Sequence, residues 1–351
     1  MPLGKVSLRR VTGRAWAPVF AALALAGCAE NYPQTTLLPR GDFARLLHDV
    51  FQTTVWWALV VFVLVEGLLL FAIFRYRGRP GDAEPEQTHG NTTLEIVWTA
   101  IPAFILAMIA VPTVKTIFAT YEDPGPEALH IDVIGHQWWW EFRYPEYGIV
   151  TAGELHVPVG RTVRLNMSAA DVLHSFWVPQ FAAKRDVFPN RPTHLWFKAE
   201  VAGNFPGQCA EFCGIQHGRM AHRIVAHEPA EFEAWVAKMR RPRPAPTDTA
   251  TPPAAGIDSA QLATARKVLP TCAGCHAFSA TDTTRGRIGP NLADVGSRSF
   301  IAAGWLENTD ENLARWLRTP QAVKEGVLMP NLGLTDEQVT ALVAYLRAYH
   351  Q

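Results

Sequence analysis

The sequence predicts a multidomain membrane protein: an N-terminal transmembrane helical hairpin, an antiparallel β domain, and a small all-α domain at the C-terminus. Three observations carry this reading. Two apolar runs, about 54–74 and 94–114, each reach about 31 Å at 1.5 Å per residue, the thickness of a hydrocarbon core. Strict apolar/polar alternation follows, at Leu129, Ile131 and Val133, then Leu155, Val157 and Val159, then Val163, Leu165 and Met167. After a Pro, Ala and Thr-rich stretch, helical periodicity returns in 259–269, 312–317 and 335–349.

Composition narrows the function. The 351 residues carry only 18% charged side chains, below the roughly 25% of a soluble protein, together with 12 Trp. Lys plus Arg and Asp plus Glu are both 32, so no basic field exists to attract a phosphate backbone, and nucleic acid is excluded as the main partner. The five cysteines fall at 28, at 209 and 213, and at 272 and 275. That distribution suits three separate devices better than a disulfide framework.

Residues 1–27 read as a signal peptide, with Lys5, Arg9, Arg10 and Arg14 ahead of an apolar run too short to span a bilayer. Leu25-Ala26-Gly27-Cys28 resembles the lipobox of bacterial lipoproteins, implying cleavage before Cys28 and lipid on its thiol. Residues 28–120 hold an exported N-terminal segment and the hairpin. Trp56, Trp57 and Trp98 suit interfacial positions, and Arg75, Arg77 and Arg79 place the connecting loop in the cytoplasm. The chain is therefore expected to be multi-pass in the bacterial inner membrane, with its later domains on the periplasmic face. Glu66 lies mid-helix, where it must face protein or be neutral. Residues 121–240 form the β domain with a short terminal helix, 241–257 a semi-rigid linker, and 258–351 the α domain.

The segment Cys209-Ala-Glu211-Phe-Cys213-Gly-Ile-Gln-His217-Gly-Arg-Met220 gathers two thiols, an imidazole and a thioether within twelve residues. Soft sulfur with imidazole is a copper ligand set. A mononuclear site needs one Cys, so two at a spacing of four argue for two coppers bridged by two thiolates. A second imidazole is then required, and His174, on a separate β segment, is the best candidate. A Cys209–Cys213 disulfide and a tetrahedral zinc site remain as alternatives; the first leaves His217 and Met220 without a role, the second leaves Met220 idle.

In these features the chain resembles subunit II of haem-copper cytochrome c oxidases, over residues 50 to 227 or so. The resemblance implies a cupredoxin-like antiparallel β-barrel. It also implies a binuclear CuA centre held by His174, Cys209, Cys213, His217, Met220 and the backbone carbonyl of Glu211. The Glu211 side chain is further implied to reach a magnesium ion at the boundary with subunit I. In Gly135-His-Gln-Trp138-Trp139-Trp140, Trp138 matches the family's point of electron arrival, while Trp139 stands where the family usually has Tyr. Leu94-Glu95 matches the mouth of a proton pathway into subunit I. Phe205 and Pro206 replace the family's tyrosines before the first copper Cys.

Cys272-Ala-Gly-Cys275-His276 is a c-type haem attachment motif, two thiols for thioether bonds and a His for iron. A redox disulfide in the same loop is the alternative. Met329 is the only methionine after the motif, which makes it the sixth iron ligand by elimination, ahead of His350 near the terminus. Resemblance to class I cytochromes c, through Gly289-Pro290-Asn291-Leu292, supports Met329 and implies that Pro290 accepts a hydrogen bond from His276. His/Met ligation raises the potential of a haem, as suits a donor to copper.

The functional expectation is subunit II of a respiratory cytochrome c oxidase. Electrons from a cytochrome c donor reach covalent haem c, then CuA, then haem a in subunit I. That subunit, with the other oxidase subunits as partners, reduces oxygen to water at its haem-copper centre and translocates protons. Competing readings are a nitric oxide or nitrous oxide reductase component, a copper-delivery protein, and a structural assembly subunit. Copper-delivery loops carry Pro after the second Cys, where Gly214 stands here.

Overall fold

A computed structural model describes residues 32–78, 80–84, 87, 89–243, 248, 250–282 and 288–350. Residues 1–27, read above as a signal peptide, and Cys28 lie outside the described residues, as does part of the linker. The hairpin consists of α1 (Asp42–Arg75) and α2 (Thr92–Tyr121), both long and apolar enough to cross a membrane. Asn91 caps α2 by accepting from the Leu94 amide, satisfying one of the orphan donors of the first turn. Both helices exceed the apolar runs. The first turns of α1 leave the apolar pattern because they pack on the β domain: Phe43 is buried in its core, and Asp42 Oδ1 accepts from the Lys198 amide at 2.8 Å.

The β domain has ten strands: β1 (Leu129–His136), β2 (Trp139–Tyr144), β3 (Ile149–Ala152), β4 (Glu154–Pro158), β5 (Thr162–Ala169), β6 (His174–Trp177), β7 (Arg185–Val187), β8 (Thr193–Lys198), β9 (Gly203–Cys209) and β10 (Ala221–His227). They form two five-stranded sheets, ordered β3-β2-β1-β5-β8 and β4-β10-β9-β6-β7. Alternation puts Leu129, Ile131 and Val133 inward, in register with Val163, Leu165 and Met167, so the two strands share one buried face. The sheets are mostly antiparallel, but β1 pairs with β5 and β4 with β10 in parallel. Period-two patterning reports which face is buried and is silent on the direction of the neighbour, so this departure was invisible to it. Helix α3 (Pro229–Met239) closes the domain with Phe232, Val236 and Met239 buried.

The last domain packs α4 (Ser259–Cys272) against α7 (Asp336–Ala348) around Leu262, Leu269, Leu342 and Leu346. Both helices start with a complete capping box, Asp258 with Gln261 and Thr335 with Gln338. Between them lie a small hairpin of β11 (Phe300–Ile301) and β12 (Leu306–Glu307), then α5 (Asp310–Arg318) and α6 (Pro320–Val323). The end of the linker is not free: Tyr349 Oη donates to the Pro252 carbonyl, and Ile257 is buried against the helices.

Candidate metal centre and haem cleft

Strands β6, β9 and β10 are neighbours in one sheet, and His174 begins β6 while Cys209 ends β9. The loop from 210 to 220 returns to β10, pinned by Cys209 N–H to the Met220 carbonyl and Ala210 N–H to the Ser175 carbonyl, both 2.9 Å. This closure brings all six sequence-nominated groups together. Cys209 Sγ lies 3.8 Å from Cys213 Sγ, 4.0 Å from His174 Nδ1 and 3.3 Å from the Glu211 carbonyl oxygen. Cys213 Sγ lies 3.7 Å from His217 Nδ1 and 3.8 Å from Met220 Sδ. His174, Cys209 and Cys213 are buried and present ligand atoms within 4.8 Å of one another.

The electrostatics favour a bound cation. The hydrogen bond from Cys213 pulls the Cys209 thiol down to about 3, and the thiolate so formed pushes Cys213 up. Burial lowers His174, but the carboxylate of Asp171 at 2.8 Å and Cys209 outweigh it and raise the imidazole. The two sulfurs are unbonded, at nearly twice the roughly 2.05 Å of a disulfide. Two thiols, two imidazoles, a thioether and a carbonyl fit a pair of copper ions better than tetrahedral zinc, which has no use for the thioether.

Sequence reasoning overlooked Asp171 and Gln137, which help to hold these groups. Asp171 also accepts from the Gln137 amide at 2.7 Å, and both Gln137 Nε2 and Trp138 Nε1 donate to the Cys213 carbonyl, at 2.8 and 2.9 Å. Trp138 therefore touches the ligand loop directly. Gly214, at φ +116, is needed twice over: the left-handed backbone suits glycine, and a Cβ there would meet Trp138 Cζ2 at 2.9 Å. Trp140 is wholly buried, as packing residues of a strand are.

In the last domain Cys272 ends α4, and the His276 amide donates to its carbonyl at 3.0 Å. The His276 Nδ1–H donates to the Pro290 carbonyl at 2.7 Å, which orients the ring and leaves Nε2 free. Burial lowers the proton affinity of this imidazole. Gly289 lies under the ring, where a Cβ would stand 2.5 Å from His276 Cε1. Cys272, Cys275, His276 and Met329 line one apolar cleft. Gln321 Nε2 fixes the Met329 loop through the carbonyls of Val327 and Met329. His350 is exposed and hydrogen-bonded to the Arg347 carbonyl, away from the cleft. Trp138 lines this same cleft, so the loop from 210 to 220 that it bonds to and the segment 272–276 face one another.

Residues 149–227 match the periplasmic domain of cytochrome c oxidase subunit II, residues 43–116 its transmembrane domain, and residues 258–349 the cytochrome c family. Cytochrome c oxidase subunit 2 of Alkalihalophilus pseudofirmus is 38% identical over 336 residues, covering 94% of either chain. The chain belongs to the cytochrome c oxidase subunit 2 family. The subunit of Bacillus sp. (strain PS3) is 36% identical over 345 residues, covering 93% of this chain and 94% of that one. The crystal structure of the periplasmic domain of subunit II of cytochrome oxidase of Bradyrhizobium japonicum is 36% identical. It covers 32% of this chain and 94% of that chain, with a TM-score of 0.31. Membership implies CuA in the β domain and haem in the last domain, on an oxidoreductase subunit with a membrane-spanning part and a periplasmic part.

Proposed function

We propose that the chain is the electron-receiving subunit of a respiratory cytochrome c oxidase in the bacterial inner membrane, anchored as a two-pass protein with residues 121–240 and 258–351 in the periplasm. Cytochrome c is the donor, and subunit I, with haem a and the haem-copper centre, is the acceptor that reduces oxygen and translocates protons. The carrying observation is that His174, Cys209, Cys213, His217, Met220 and the Glu211 carbonyl form one chain of contacts no longer than 4.0 Å.

When bound, binuclear copper and covalent haem c supply two one-electron carriers on one polypeptide. The chain's own residues do the rest. His174, Cys209, Cys213, His217, Met220 and the Glu211 carbonyl would hold the copper pair, and Cys272, Cys275, His276 and Met329 would hold the haem. Asp171 orients His174, the Pro290 carbonyl orients His276, and strand ends keep the ligand loop from relaxing. Burial of both thiols excludes water from the site. The hydrogen bond of Trp138 to the Cys213 carbonyl and its position on the cleft wall support a role in electron arrival. The Glu211 side chain, only partly buried, is left for magnesium at the subunit I boundary. The linker keeps the two carriers at an effective concentration of about millimolar.

Low-temperature EPR of the oxidised full-length chain, matured with copper and haem, tests this reading. One unpaired electron shared by two copper nuclei beside a low-spin haem supports it. A mononuclear or absent copper signal, or full oxidase turnover in Cys213→Ser, would sink it.

A further inference from the structure

Lys324, just past α6, is 2% exposed, and lysines are almost never so buried without a partner. Its partners are two carbonyls: Nζ donates to Arg219 O at 2.7 Å and to Ala302 O at 3.1 Å. Arg219 sits in the copper-ligand loop beside Met220, whereas Ala302 sits at the tip of the β11–β12 hairpin. One side chain thus ties the end of α6, the hairpin tip and the ligand loop together.

The surroundings are built for the same contact. Arg219 Nη1 donates to the Val323 carbonyl at 3.0 Å and Gln216 Nε2 to the Glu325 carbonyl at 2.6 Å. The Ala221 amide donates to Ala303 O at 2.9 Å, and the Ser299 amide to Glu154 Oε1 at 2.7 Å. Arg219 and Arg223 stack over Trp305 and Phe300, at 4.5 and 3.8 Å. Ala302 and Ala303 hold φ of +53 and +58, a left-handed conformation that residues with a Cβ adopt at a cost. That strain sits where two successive carbonyls turn to Lys324 and Ala221.

We infer that Lys324 is a positioning residue whose amine clasps the carbonyls of Arg219 and Ala302, seating the last domain on the copper-ligand loop so that the cleft of His276 and Met329 stays against Trp138. Its consequence for electron transfer rests on the proposed function; the seating itself is a property of the chain's own residues. Burial draws the amine down to about 7. The neutral amine still carries two donors for its two carbonyls, so the clasp does not depend on charge.

Amide hydrogen exchange on the intact chain in its oxidase complex tests the clasp. In the wild type the Ala221 and Ser299 amides are expected to be protected like that of Ile224 within β10. In Lys324→Met, exchange at Ala221 and Ser299 should rise about tenfold, because two buried carbonyls lose their donor, while Ile224 and Leu342 stay as they were. The rate between haem and copper after photoreduction of the haem should fall by about the same factor, with the visible and EPR spectra unchanged. Lys324→Gln, which keeps two donors, should recover part of the protection, and Lys267→Met, on the exposed side of α4, should change nothing. Unaltered exchange at Ala221 and Ser299 in Lys324→Met overturns the clasp. Should that variant also lose protection at Leu342, the wild type decides alone: free exchange at Ala221 and Ser299 overturns the seating, protection upholds it. A missing copper signal would sink the functional reading and leave the exchange result standing.

Discussion

Asp171 accepts from His174 Nε2 and from the Gln137 amide, which turns His174 Nδ1 toward Cys209. Partners of this kind typically contribute 10–100-fold to metal affinity. Asp171→Asn should therefore weaken copper retention by about that factor against a chelator, with the haem spectrum unchanged. Gly289 makes a parallel case. Gly289→Ala puts a methyl 2.5 Å from His276 Cε1, an overpacking that costs about 1–3 kcal/mol, and should lower the haem bound per chain and the melting temperature of the last domain. The ligand types themselves were legible in the sequence, because thiols, imidazole and thioether at close spacing have few other uses. Asp171, Gln137 and Lys324 were not: in sequence each is an ordinary polar residue, and only the fold brings Asp171 to the Gln137 amide, 34 positions away, or Lys324 to the carbonyl of Arg219, 105 positions away.

At the scale of elements, apolar length located both membrane helices but not where α1 begins. Its first turns are amphipathic, with Phe43 against Trp196 at 5.5 Å between ring centres and Ala44 N–H bonded to the Phe181 carbonyl. This splice makes helix and β domain one mechanical unit. Phe43→Ala should cost about 3–5 kcal/mol, read as an earlier thermal transition of the β domain and faster amide exchange at Ala44. Alternation gave the right buried residues for β1 and β5, since pleat and burial share a period of two, whereas β4 is buried on both faces. The parallel partners came from long-range topology that no local pattern encodes. Helix α4 runs to Cys272, beyond the 259–269 stretch of clear periodicity, and Pro270 lies inside it. The added turn delivers the first cysteine of the haem motif to the cleft.

Across the whole molecule, acid and base balance at 32 each, so the histidines decide how stability changes just below neutrality. His222 is fully buried between Trp140 and Phe176, neither ring nitrogen has a partner, and burial drives it down to about 3. Burial also lowers His156 well below its ordinary value, with His227, 2.8 Å away, adding to the effect. The unfolded chain takes these protons near pH 6.5 while the folded chain refuses them. Their stabilisation is therefore complete above about pH 6.5 and drains away as pH falls toward 3, on the order of 5 kcal/mol for His222. Glu154 opposes this weakly, because burial raises its carboxyl and folding gains as that group protonates. His222→Leu removes a titrating group that makes no hydrogen bond and fills similar space. It should leave stability at pH 7.5 within about 1.5 kcal/mol and flatten the decline between pH 6.5 and 4. Thermal melts of the copper-free chain, in which acid cannot act by releasing copper, are the measurement. A variant whose melting temperature falls with pH as steeply as the wild type would show that His222 does not carry the acid sensitivity.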